Sequence, residues 1–97
     1  MFATDKPEMA DVRKRVRPAH RAYLREATSH GVFVKLGGPT LDAGEEGMNG
    51  TLLVVEADCI DDVLAFVSSD PYACANLFDR VEVRPWEWTL GNPEQPV

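Results

Sequence analysis

Ninety-seven residues, 44% hydrophobic and 27% charged with seven glycines and seven prolines, fit one globular core, since two would leave each half too small to bury its own surface, and exclude a disordered or low-complexity chain. A formal net charge of −6 argues against nucleic acid, whose protein partners carry a net basic footprint. The longest aliphatic run, residues 52–55, is far short of the roughly 20 apolar residues of a membrane helix, and residues 1–5 hold no apolar signal core; a soluble, cytoplasmic protein with neither a nucleic-acid nor a membrane partner is expected.

The first element is a very short strand, Phe2-Ala3-Thr4, closed by Asp5-Lys6-Pro7. A helix follows, on which Val12, Val16, Tyr23, Leu24 and Ala27 share one face with His20. Pro18 removes a donor and crowds the Lys14 carbonyl, so the helix either kinks there or restarts with Pro18 in its first turn. Six of the ten basic residues, Arg13, Lys14, Arg15, Arg17, Arg21 and Arg25, fall within this stretch; they read as a solvated face balancing an acidic remainder, or as a local field that draws in a small anion. His30 is read as a cation at the negative helix end, with Gly31 as the stop.

Residues 31–38 are β-branched and aromatic and read as a strand closed by Pro39. A loop over residues 39–49 precedes a second, largely buried strand over residues 50–57. Asp58 is the expected N-cap of a second helix, with Asp61 and Asp62 in its first turn and Ile60, Val63, Leu64 and Val67 on its apolar face. Asp70-Pro71 ends that helix. A short irregular or helical piece over residues 72–78 leads to a strand over residues 81–88, at an edge or bulged because of Pro85. Residues 1–93 form the single domain, and residues 94–97 a polar tail.

The order β, α, β, β, α, β predicts an α+β, ferredoxin-like domain with an antiparallel sheet and both helices on one face. The bare face is expected to bury itself against a second copy, giving a homodimer, with Phe33, Val54, Trp86 and Trp88 as candidates for sheet-core or interface packing. Cys59 and Cys74 lack C-x-x-C spacing and read as ordinary reduced residues. In this fold the two helices lie side by side, so His20 and Asp70 can meet; an imidazole held by a carboxylate suits general acid–base work near neutral pH. The bland alternatives are a hydrogen-bonded core histidine and an aspartate that opens a turn. No ligand set for a metal accompanies His20.

The ordered set Thr4-Asp5-Lys6-Pro7, Arg17-Pro18-Ala19-His20, Gly37-Gly38-Pro39, Gly50-Thr51-Leu52-Leu53, Asp70-Pro71-Tyr72 and Val81-Glu82-Val83-Arg84-Pro85-Trp86 resembles the YCII (YciI-like) family. The resemblance covers nearly the whole chain; one departure is a first strand with fewer apolar residues ahead of Thr4-Asp5-Lys6-Pro7 than is usual. It implies a dimeric ferredoxin-like fold of the dimeric α/β-barrel type related to muconolactone isomerases, with a His–Asp pair, here His20 and Asp70, as the active site. It also implies lyase-like chemistry, as in removal of hydrogen chloride from a chlorinated hydroxyquinol.

The expected function is accordingly a lyase- or isomerase-type enzyme acting on a cyclic, anionic or halogenated small molecule without metal or organic cofactor. His20 transfers the proton and Asp70 orients it. Gly37 and Gly38 are candidate oxyanion donors through their amides, beside Pro39. Arg17 and Arg21 are candidate sources of charge in the pocket, and Tyr23 and Tyr72 candidate walls, the alternatives being solvent exposure and core packing. A non-catalytic metabolite-binding or accessory module, and a cofactor-free oxygenase, are the rival readings.

Overall fold

The computed structural model describes residues 1–94; of the expected tail, residues 95–97 lie outside the described residues. Eight elements follow one another: β1 (Phe2–Asp5), α1 (Ala10–Arg25), a 3₁₀ turn (Ala27–His30), β2 (Val32–Leu41), β3 (Met48–Ala57), α2 (Ile60–Ser68), α3 (Pro71–Cys74) and β4 (Phe78–Glu82). The strands form one antiparallel sheet in the order β2-β3-β1-β4, and the domain is α+β with the ferredoxin-like arrangement. Ala3, Thr51 and Leu53, which alternate onto one side of the sheet, are almost fully buried. Phe66, Ala27 and Val32 anchor the core between the helices and that side. The other side carries Phe2, Leu36 and Leu52, each about half exposed, beside Phe33.

Several elements depart from the sequence reading. α1 runs as one helix through Pro18, so no second helix starts there; Lys14 and Pro18 are both exposed, so water can satisfy the freed carbonyl. α1 itself ends at Arg25, and the 3₁₀ turn after it carries His30 in its last turn before Gly31 in the left-handed conformation, the helix end expected for both residues; the His30 ring also packs near Tyr23 and Phe66. β2 does not stop at Pro39: the strand continues to Leu41, with Pro39 opposite Thr51. A proline fits there because β2 is an edge strand, where its nitrogen can face away from the ladder. Cys59 rather than Asp58 occupies the N-cap of α2 and makes no side-chain cap bond. That helix buries Val63, Phe66 and Val67, whereas Ile60 and Leu64 are exposed.

The last strand begins earlier and ends sooner than its alternation suggested. β4 spans Phe78–Glu82 because β1 is its only partner among the described residues, and the ladder ends where Glu82 meets Phe2. Val83 to Trp88 therefore have no strand beside them among the described residues, and Trp86 stacks on Trp88 at 6.0 Å. The same shortness affects β3. Its Leu53 exchanges both backbone bonds with Met1, but beyond that point the ladder of β3 is with β2 alone. A hollow of about 410 Å³ opens there, between β3 and the segment that follows β4.

Candidate functional site

His20 sits in the middle of α1 and Asp70 at the N-cap of α3. Asp70-Pro71 places a carboxylate on extended backbone just before a proline at the first helical position, the arrangement that lets an aspartate cap a helix. Its Oδ1 accepts the Tyr72 N–H at 2.8 Å. The same carboxylate lies 2.8 Å from His20 Nδ1 through both oxygens, and the two residues are 1% and 6% exposed. Turn duty and imidazole binding, alternatives in the sequence, are thus combined in one side chain. With Asp70 ionised, the proton of a neutral imidazole sits on Nδ1 and Nε2 holds the lone pair.

Tyr72 lies against the imidazole with ring centroids 3.9 Å apart and an interplanar angle of 18°. Burial pushes the Tyr72 phenol up from its ordinary pKa, against the pull of Arg13 and Arg17. A cavity of about 230 Å³ opens beside this pair. His20, Arg17, Arg21 and Tyr72 line it from the helical side, and Gly37, Gly38 and Pro39 from β2. Arg17 and Arg21 also border a groove that continues along α1 past Lys14 and Arg25.

Of the residues expected at the site, Tyr23 stands apart. Its hydroxyl donates to the Phe66 carbonyl at 2.7 Å and its ring stacks on Phe66 at 4.7 Å, so it belongs to the core. The two glycine amides are not equivalent. Leu53 directs its N–H toward Met1, so Leu52 and its partner Gly38 face each other across the β2–β3 ladder. The Gly38 amide is committed to β3, and the Gly37 amide points to the open edge.

Sequence reasoning missed Arg13, which it assigned to the solvated charge run. Arg13 is 5% exposed. Its Nε and Nη2 donate to the Asp5 carboxylate at 2.7 and 3.2 Å, and Nη2 also reaches the Gly50 carbonyl and Thr51 Oγ1, both at 2.7 Å. The guanidinium carbon lies 4.6 Å from the centre of the Tyr72 ring. The available signal was spacing: Arg13 precedes His20 by seven residues, two helical turns, and so shares its buried face. Among the described residues no three His, Cys, Asp or Glu side chains converge as a metal site would require.

The chain is 30% identical over 91 residues to Protein YciI of Escherichia coli and to Protein YciI of Shigella flexneri, in each case covering 90% of this chain and 93% of the relative. Among solved structures it is similar to 5-chloro-2-hydroxyhydroquinone dehydrochlorinase (TftG) from Burkholderia phenoliruptrix AC1100, in complex with 2,5-dihydroxybenzoquinone. The TM-score is 0.81 at 35% identity, over 94% of each chain. The YCII-related domain matches residues 1–87. With the fold, the near full-length relatives and the family match in agreement, the chain belongs to the YCII-related domain family.

Proposed function

We propose that the protein is a lyase- or isomerase-type enzyme that performs general acid–base chemistry on a cyclic, hydroxylated and anionic or halogenated small molecule, with His20 as the proton-transferring group and Asp70 as its orienter. The observation that carries this reading is the buried 2.8 Å contact from His20 Nδ1 to Asp70, which leaves Nε2 as the basic nitrogen beside the cavity that His20 lines. Similarity to a dehydrochlorinase supports the class of reaction.

In such an elimination Nε2 accepts a proton from the substrate, the pair of the broken bond forms the new double bond, and chloride departs with the C–Cl pair. The imidazolium so formed is stabilised by Asp70, which needs no proton of its own. Arg17 and Arg21 favour an anionic substrate. Pro39 and Tyr72 form walls, and Gly37 offers the free amide. The chemistry proposed requires no metal or organic cofactor. Release of chloride from 5-chloro-2-hydroxyhydroquinone, and turnover of a lactone panel, should fall by about 10²–10⁴-fold in His20→Ala if His20 is the acid–base group. Equal rates in the two proteins would refute the role.

A second reading draws on the capping bond from Asp70 to Tyr72: the pair is a structural hydrogen bond in a metabolite-binding module. Ligand binding without turnover of any of these compounds would favour it. Uptake of oxygen with a phenolic substrate would favour the oxygenase.

We further propose that residues 1–93 act as one unit and pair with a second copy through the sheet side that carries Phe2, Leu36 and Leu52. These exposed apolar side chains are adjacent across the β1–β3 and β2–β3 ladders, and apolar surface of this kind marks interaction sites. No helix among the described residues is long and apolar enough to cross a membrane. Two free, exposed cysteines fit the reducing cytoplasm.

A further inference from the structure

Among the described residues, the His20 cavity is lined by three arginines, Arg13, Arg17 and Arg21, and by no carboxylate. Arg17 and Arg21 are surface residues on one face of α1, but Arg13 is buried and held from several sides. Its Nε and Nη2 are occupied by Asp5, the Gly50 carbonyl and the Thr51 hydroxyl, groups on β1 and β3. Nη1 is different. Among the described residues its one hydrogen-bond partner is the Tyr72 hydroxyl at 3.5 Å, long for a bond to a charged donor. A buried guanidinium fixed at one end, with a loosely engaged amino group at the other, is a preorganised anion binder: its orientation is set before the ligand arrives.

We propose that Arg13 Nη1 holds an oxyanion on the ring of the ligand, an enolate or phenolate oxygen, while His20 Nε2 acts elsewhere on the same ring. The inference rests on the acid–base reading of this site and names the substrate class within it. Tyr72 completes the arrangement. Its ring occupies the interval between the two side chains, 4.6 Å from the Arg13 guanidinium carbon and 3.9 Å from the imidazole. Its hydroxyl oxygen accepts from Nη1, so its own O–H remains available to the same oxyanion. A phenol is protonated at neutral pH, as a donor must be, and burial shifts this one further in that direction. Charge that develops on the ring oxygen as Nε2 withdraws a proton would thus meet two donors on buried side chains.

The test titrates wild type and Arg13→Lys with 2,5-dihydroxybenzoquinone, benzoate and neutral phenol, following affinity and, in wild type, the ¹⁵N resonance of Arg13 Nε. Lysine keeps the charge but cannot hold Asp5 and a ligand at once through a planar fork. The expected result is a moved Arg13 resonance and at least tenfold weaker binding of 2,5-dihydroxybenzoquinone to Arg13→Lys, with phenol binding equally to both proteins. A merely structural Arg13 would weaken all three ligands alike. Benzoate that binds in an Arg13-dependent way while 2,5-dihydroxybenzoquinone does not would support the anion role and remove the hydroquinone-type substrate. Failure of both anions to bind wild type, or binding of both with an unmoved Arg13 resonance, would overturn the inference. Should Arg13→Lys not fold, the wild-type resonance alone decides.

Discussion

Replacing Asp70 by asparagine separates the two duties of that side chain. In wild type, Oδ1 accepts the Tyr72 N–H while both oxygens face His20 Nδ1. An asparagine has one oxygen where the carboxylate sets two within 2.8 Å of Nδ1. If its carbonyl keeps the cap on Tyr72 N, its amide NH₂ takes the place of Oδ2, and two donors would meet unless Nδ1 gives up its proton. The alternative orientation opposes NH₂ to the Tyr72 N–H and loses the cap, typically about 1 kcal/mol. The cap therefore selects the first orientation, and the imidazole switches to the form protonated on Nε2. A charge-assisted bond of about 1.5–3 kcal/mol becomes a neutral one of about 0.5–1.5, so the net loss is about 1 kcal/mol, or a fall in Tm of about 4–8 °C for a domain this small. Activity falls much further, by on the order of 10²–10⁴-fold, because the nitrogen that should accept the proton already carries one. Denaturant unfolding, ¹⁵N spectroscopy of the imidazole and the chloride-release assay read the three effects separately. A folded Asp70→Asn that keeps Nδ1–H and the wild-type rate would refute this account of how Asp70 sets the tautomer.

Three further outcomes are expected. Removing either member of the buried Arg13–Asp5 pair, by Arg13→Met or Asp5→Asn, should cost about 3–5 kcal/mol in urea unfolding because the remaining charge is stranded; a change within about 0.5 kcal/mol would show that the pair contributes little. Gly38 faces the same sheet side as Leu52, and an added Cβ meets nothing within 4 Å in the single chain. Gly38→Val should therefore leave the chain folded but weaken the proposed dimer by about 1–3 kcal/mol through overpacking, seen by sedimentation; undiminished association would place the interface elsewhere. Burial raises both tyrosines, Tyr23 and Tyr72, above the usual phenol pKa. Since the folded state binds these protons more tightly than the unfolded one, their contribution to stability is complete below about pH 10 and is lost as pH rises through the folded values. Absorbance at alkaline pH should show tyrosinate appearing together with unfolding, and ordinary titration of both phenols in the folded protein would contradict this.

The helices and the hairpin were legible in the sequence, since periodicity and cap chemistry are local signals; the meeting of His20 with Asp70, 50 residues apart, was expected from the side-by-side helices of the ferredoxin-like order and from the family resemblance. What was not legible depended on partners distant in the chain. Val81-Glu82-Val83 reads as a strand on either side of its true end, but the length of β4 is set by the four residues of β1. Pro39 reads as a stop, yet the outer position of β2 removes the objection to a proline. Arg13 looks like any member of a basic run until Asp5, Gly50 and Thr51 are brought around it. A buried charge is recognised by what compensates it, and here the compensation comes from two strands.

Pro39 has a consequence for how these chains meet one another. β2 is a ten-residue edge strand carrying Val32, Phe33, Val34 and Leu36, the kind of rim on which a foreign strand can be templated and a fibril begun. Proline deletes one donor from that rim, and the irregularity between Val34 and Leu36 breaks its regular spacing. The opposite rim, β4, is five residues long and gives way to Pro85. Both margins of the sheet thus resist edge-to-edge growth and leave its broad face for the pairing proposed above, an association that would close after two chains instead of propagating.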